Sequence, residues 1–214
     1  MRSFFNQIRS IQTRLPVWKQ IAYTAGFLLL GAALGCFSKY LDGTPRNTLM
    51  YIVQYLDVPN FLGRFPIWVL IALAISVYSK APLRASANVF AFFVGMVASY
   101  YLYSRFILGF FPRSYALVWA GFTLLSPVLA FLCWYAKGKG KAALVLSAGI
   151  LAVLFNMTFV YGRGYFEARS LLELLTFALS ILVLRRSGRE MAIMAGLAVP
   201  MALILDTIVP FHFG

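Results

Sequence analysis

Seven apolar stretches run along the chain near residues 20–38, 64–80, 86–105, 115–136, 142–160, 169–185 and 189–210, each bounded by basic residues, proline or polar clusters. At about 1.5 Å per residue, each crosses or nearly crosses a hydrocarbon layer of roughly 30 Å. The pattern predicts an all-α fold, a polytopic integral membrane helical bundle of about seven transmembrane helices. Residues 20–214 form a single transmembrane domain on this reading. The second stretch is short and opens with Arg64 and Pro66; if it is re-entrant, six full spans remain.

Two further stretches have helical periodicity without the length to span. In residues 1–19, Phe4, Ile8, Ile11, Leu15 and Trp18 form an apolar stripe opposite Arg2, Asn6, Arg9 and Thr13, with Pro16 breaking the register. This is the pattern of a cationic amphipathic helix lying on the inner leaflet. Near residues 44–57, Thr44 can cap a helix with Pro45 in its first turn, and Leu49, Ile52, Val53 and Leu56 share one face. That predicts a short external helix, either lying on the membrane or covering an outward cavity.

Composition strengthens the membrane assignment. The chain is 62% hydrophobic and only 12% charged, about half the charged fraction of a soluble domain. A net charge of +13 raises the question of nucleic acid, but the bases sit at the ends of apolar segments and form no single patch, so no nucleic acid is expected. With seven spans, Lys39, Arg46, Arg64, Arg105, Arg113, Arg163 and Arg169 fall on one side and the other twelve of nineteen Lys and Arg on the opposite side. The basic bias places the N-terminus in the cytoplasm and the C-terminus outside an inner (plasma) membrane, with anionic lipid attracted to the cytoplasmic face. "LLLGAALGC", ending at Cys36, fits a lipoprotein processing site poorly and is read as part of an uncleaved first span. Cys36 and Cys133 lie on opposite sides of the bilayer in this topology, and His212 is the sole histidine. No disulfide, metal site or cofactor is expected.

Small residues recur at helical spacing: Gly31 and Gly35; Ala91, Gly95 and Ser99; Ala192, Gly196 and Pro200. Such seams allow close helix packing within the bundle, or docking of a partner membrane subunit or a second copy. Pro127 and Pro200 fall in mid-span, where a kink requires the freed carbonyl to be satisfied by a neighbour.

The buried-looking polar residues carry the candidate chemistry. Arg169, Glu173, Thr176 and Ser180 share one face of a helix started near Arg169, and that stripe must face the bundle or water because lipid cannot satisfy it. A carboxylate at mid-bilayer costs on the order of 3 kcal/mol. Arg169, four residues before the shallower Glu173, is within reach as a structural partner, though in the less favourable order for the helix dipole. The alternative is that Glu173 and Arg169 line a ligand site. Asp206, Asn156, Tyr101, Arg105 and Arg163 fall at a similar outer depth. Acids there suit a cation or amine, and arginines a carboxylate or phosphate.

In size and span number the chain is similar to the substrate-binding subunits of energy-coupling-factor vitamin transporters, and "GAALG", residues 31–35, resembles the small-residue docking run of their first helix. The resemblance implies a solute-binding or transport subunit with an outward-facing pocket for a small molecule, but it transfers no ligand or site residue, and a seventh span departs from their six. The alternative is an accessory, assembly or immunity protein acting by helix packing. A lipid-modifying enzyme ranks last, because HExxH, GxSxG and clustered-Asp motifs are absent and no span holds a histidine.

Overall fold

The structure, a computed structural model, describes residues 7–11 and 16–208. Most of the expected N-terminal amphipathic helix, and His212, lie outside the described residues. About 80% of the described residues are helical. Among the described residues, five helices are long and apolar enough to cross a bilayer: α1 (Val17–Gly43), α5 (Pro82–Phe106), α6 (Arg113–Ala136), α7 (Gly140–Thr158) and α9 (Gly188–Ile208). Two more apolar helices, α4 (Pro66–Tyr78) and α8 (Leu171–Val183), have 13 residues each, or about 20 Å of rise. Both are narrower than the stretches read from hydropathy.

Between α1 and α4 the chain does not form one helix over 44–57. A 3-10 turn, Arg46–Thr48, precedes two short helices, α2 (Tyr51–Tyr55) and α3 (Val58–Gly63). Thr44 is the residue after α1 and not the start of a new helix. Its hydroxyl donates to the Tyr40 carbonyl at 2.6 Å, and its N–H bonds the Leu41 carbonyl. The carbonyls exposed at the end of α1 thus claim the hydroxyl.

Contacts group the chain into two compact units. In the unit of residues 11–63 and 78–131, α1 packs on α5 backbone to backbone. A Cβ on Gly31 would overlap the Phe92 carbonyl, one on Gly35 the Met96 carbonyl, and one on Gly95 the Leu28 carbonyl. The "GAALG" run is therefore occupied within its own unit. Polar clamps hold both ends of the pair. At one, Thr24 donates to Asn88 at 2.8 Å and Arg84 donates to the Gln20 carbonyl at 2.6 Å. At the other, Lys39, only 3% exposed, reaches Asp42 at 2.5 Å and lies over the rings of Tyr100 and Phe110. Pro127 is accommodated locally: Ser126 donates to the Thr123 carbonyl at 2.8 Å, the acceptor that the proline's missing N–H leaves open.

The second unit, described over residues 7–10, 64–77 and 132–208, centres on α7. Leu73, Val77, Ala148, Leu151, Leu154, Leu184 and Met194 belong to its core. On α9 the packed face is Met194, Ala198 and Ala202, whereas Ala192, Gly196 and Pro200 are exposed. The small-residue seam expected there points away from the core, because the bulkier Met194 fills the groove and the two alanines permit the approach.

α8 has the inverse of a soluble helix. Its buried residues are Glu173, Thr176 and Ser180, while Leu171, Leu174, Leu175, Leu179 and Leu182 are exposed. Thr176 and Ser180 return their hydroxyls to the Leu172 and Thr176 carbonyls. An outer surface of leucine around an inner polar stripe suits lipid and would be an aggregation face in water.

Candidate functional site

Between α7 and α8 the sequence reading placed a helix end and a helix start; the structure has a β-hairpin there. Strands β1 (Phe159–Gly162) and β2 (Tyr165–Ala168) pair antiparallel, with Gly162 opposite Tyr165. The two-residue turn is Arg163-Gly164, and Gly164 takes φ +90°, where a side chain would be strained. Phe159 stacks on Phe166 at 5.0 Å and meets Phe155 of α7 and Phe177 of α8 at 4.7 and 5.5 Å. These rings fix the hairpin at one end of the unit, where two polar groups lie.

The first is built on the start of α8. Ser170, in extended backbone, is the N-cap; its hydroxyl oxygen accepts the N–H groups of Leu172 and Glu173. Ser170-Leu171-Leu172-Glu173 has the spacing of a capping box, and the Ser170 hydroxyl also contacts the Glu173 carboxylate. The other carboxylate oxygen receives Arg64 Nη1 at 2.6 Å. Glu173 is 0% exposed and the Arg64 side chain 29%. The helix dipole adds to the pairing, since an acid in the first turn meets unsatisfied N–H groups.

This corrects the expected partner. α8 begins at Leu171, so Arg169 lies outside the helix and cannot take the i, i+4 geometry with Glu173; its backbone N–H instead bonds the Thr158 carbonyl at 2.9 Å. The sequence signal for Ser170 is its capping-box spacing, three residues before Glu173. Arg64, 109 residues distant from Glu173, carried no local signal. Ser170→Ala is expected to lower stability by about 1 kcal/mol, read as a reduced denaturation midpoint, with Ser170→Thr close to the parent.

The second group joins α7, β1 and α9. Asn156 donates from Nδ2 to the Ala202 carbonyl at 2.9 Å and accepts the Tyr161 hydroxyl on Oδ1 at 3.0 Å. Burial, and then the charge of Asp206, raise the Tyr161 phenol above its ordinary value, so it stays a protonated donor at neutral pH. Asp206 lies one turn beyond Ala202 and is half-buried, with no hydrogen-bond or ion-pair partner among the described residues.

The remaining candidates belong to neither group. Arg163 is exposed at the hairpin turn. Tyr101 and Arg105 belong to the other unit, where Tyr101 is buried against Tyr100 and Phe111 at 5.1 and 5.6 Å, and Arg105 is exposed in the last turn of α5. No family model, curated protein or solved structure matches this chain.

Proposed function

We propose that this chain is a solute-handling membrane protein that takes a small organic cation at the hairpin end of the α7 unit, with Asp206 as anionic anchor. The status of the acids carries this reading. Of the six Asp and Glu residues, Asp42, Asp57, Glu173 and Glu190 are paired with Lys39, Arg46, Arg64 and Arg186, and Glu167 is exposed on β2. Among the described residues, Asp206 alone combines partial burial with a carboxylate that has no hydrogen-bond or ion-pair partner. Beside it, Tyr161 and Asn156 supply hydrogen-bonding groups, and Tyr161 leads to the ring of Phe155 at 5.9 Å. A carboxylate beside aromatic faces is the chemistry that recognises an ammonium group. On this reading the end lies outside the plasma membrane, with the N-terminus in the cytoplasm and the C-terminus external, an orientation that the basic bias supports.

Thermal unfolding of the detergent-purified chain against a panel of primary amines and quaternary ammonium ions tests the proposal. A ligand present at a hundred times its Kd adds about 2.7 kcal/mol of stability. Asp206→Asn should weaken binding roughly 10- to 100-fold. If no cation stabilises the parent, or Asp206→Asn responds equally, the reading fails. An accessory protein acting by helix packing is favoured instead by the exposed Ala192–Gly196–Pro200 face of α9, which suits a partner membrane subunit or a second copy. Gly196→Leu would then disrupt a complex recovered from native membranes while sparing the cation response.

A further inference from the structure

The opposite end of α7, 19 residues and about 28 Å away, gathers positive charge that helix capping explains only in part. The C-terminal ends of α4, α6 and α8 leave carbonyls there, and cations take them. Arg9 donates to the Trp134 and Val77 carbonyls at 2.6 and 2.9 Å. Lys137 donates to those of Val183 and Arg185 at 2.6 and 3.1 Å, and Arg186 to that of Ala136. The Gly138 backbone, where a Cβ would strike the Ile8 carbonyl, holds the segment bearing Arg9 in place. Cations at helix C-termini are ordinarily stabilising.

Three observations exceed that role. Arg185 is exposed and its side chain caps nothing among the described residues. Glu190, at 3.7 Å from Arg186, is the only acid within ion-pair distance of any of these four cations among the described residues. The Arg186 side chain is 6% exposed, yet its Nε is buried without a hydrogen-bond partner among the described residues. The start of α9, two residues beyond Arg186, adds a further positive helix end. Burial first, and then the charges of Arg186, Arg9 and Arg185, hold the Lys137 ammonium below its ordinary pKa, as expected of crowded cations.

We propose that Arg9, Lys137, Arg185 and Arg186 form a phosphate-binding site, filled by the phosphate of an anionic lipid headgroup or by a free phosphate ion. Guanidinium forks match phosphate oxygens in geometry as well as charge. The site is independent of Asp206 and of the cation reading.

The test uses the full chain in an uncharged detergent. Its melting temperature is measured with phosphatidylglycerol, with phosphatidylcholine, and with inorganic phosphate against chloride at matched ionic strength. Phosphatidylglycerol or inorganic phosphate should raise the parent's melting temperature by several degrees. Arg185→Glu, which removes no capping bond, should lose most of that shift relative to its own unliganded value. Lys141→Glu, an exposed charge reversal in the first turn of α7, should retain it. A shift with phosphatidylglycerol alone assigns the lipid source, and a shift with inorganic phosphate assigns the free ion. The proposal is overturned if neither raises the melting temperature, or if Arg185→Glu and Lys141→Glu lose the shift equally.

Discussion

Glu173→Ala is expected to be among the most damaging single substitutions in the chain, at about 3 kcal/mol, the lower end of the cost of stripping one partner from a buried ion pair. The lower end applies because the Arg64 side chain keeps 29% of its surface exposed and can recover some hydration. The substitution also removes the carboxylate from the first turn of α8 and an acceptor from Ser170. Glu173→Gln keeps the shape and an acceptor for Arg64, and should lose roughly half as much. The double variant Arg64→Met/Glu173→Leu should recover most of the loss, because a buried pair replaced by apolar groups is often neutral. Denaturant unfolding in a fixed detergent measures all three. A loss below about 1 kcal/mol for Glu173→Ala would show that the pair is not holding α8 to the start of α4. Glu173→Gln should retain the organic-cation response that Asp206→Asn loses, because Glu173 is already committed to Arg64 and Ser170.

The second large effect falls on glycines. Gly31→Ala, Gly35→Ala and Gly95→Ala each place a methyl group against a backbone carbonyl of the facing helix. A side chain can rotate away from such a clash, but a backbone oxygen moves only if the helices separate. Overpacking of this kind costs about 1–3 kcal/mol and more where nothing yields. Gly26→Ala and Gly121→Ala meet no atom within 4 Å and should instead gain about 0.4–1 kcal/mol from a stiffer unfolded chain. Opposite signs for the same chemical change on helices of one unit, read as melting temperatures, are the signature of the close approach. If all five substitutions shift stability alike, α1 and α5 do not meet at their backbones.

How much was legible depended on the range of each interaction. The long helices could be read because hydrophobic runs and their charged ends are continuous in sequence. The inward turn of Glu173, Thr176 and Ser180 could be read for a similar reason, since helical periodicity puts them on one face. The hairpin was hidden because β1 continues the apolar run of α7, and four residues give too short a pattern to reveal a change of period. The α9 face was misassigned because small residues mark where packing is permitted, and a larger Met194 can take the groove.

From the sequence alone, the chain's solvent and the number of its apolar segments were determined, because lipid acts on every side chain by its local hydropathy and each segment must satisfy its own backbone within itself. Only the tertiary structure decided which charges meet. Arg64 reaches Glu173 across 109 residues, Asp206 is left without a partner among the described residues, and Arg9, Lys137 and Arg186 turn onto helix ends. Pairing between charges depends on distances of a few ångströms in space, and local sequence pattern encodes only neighbours along the chain.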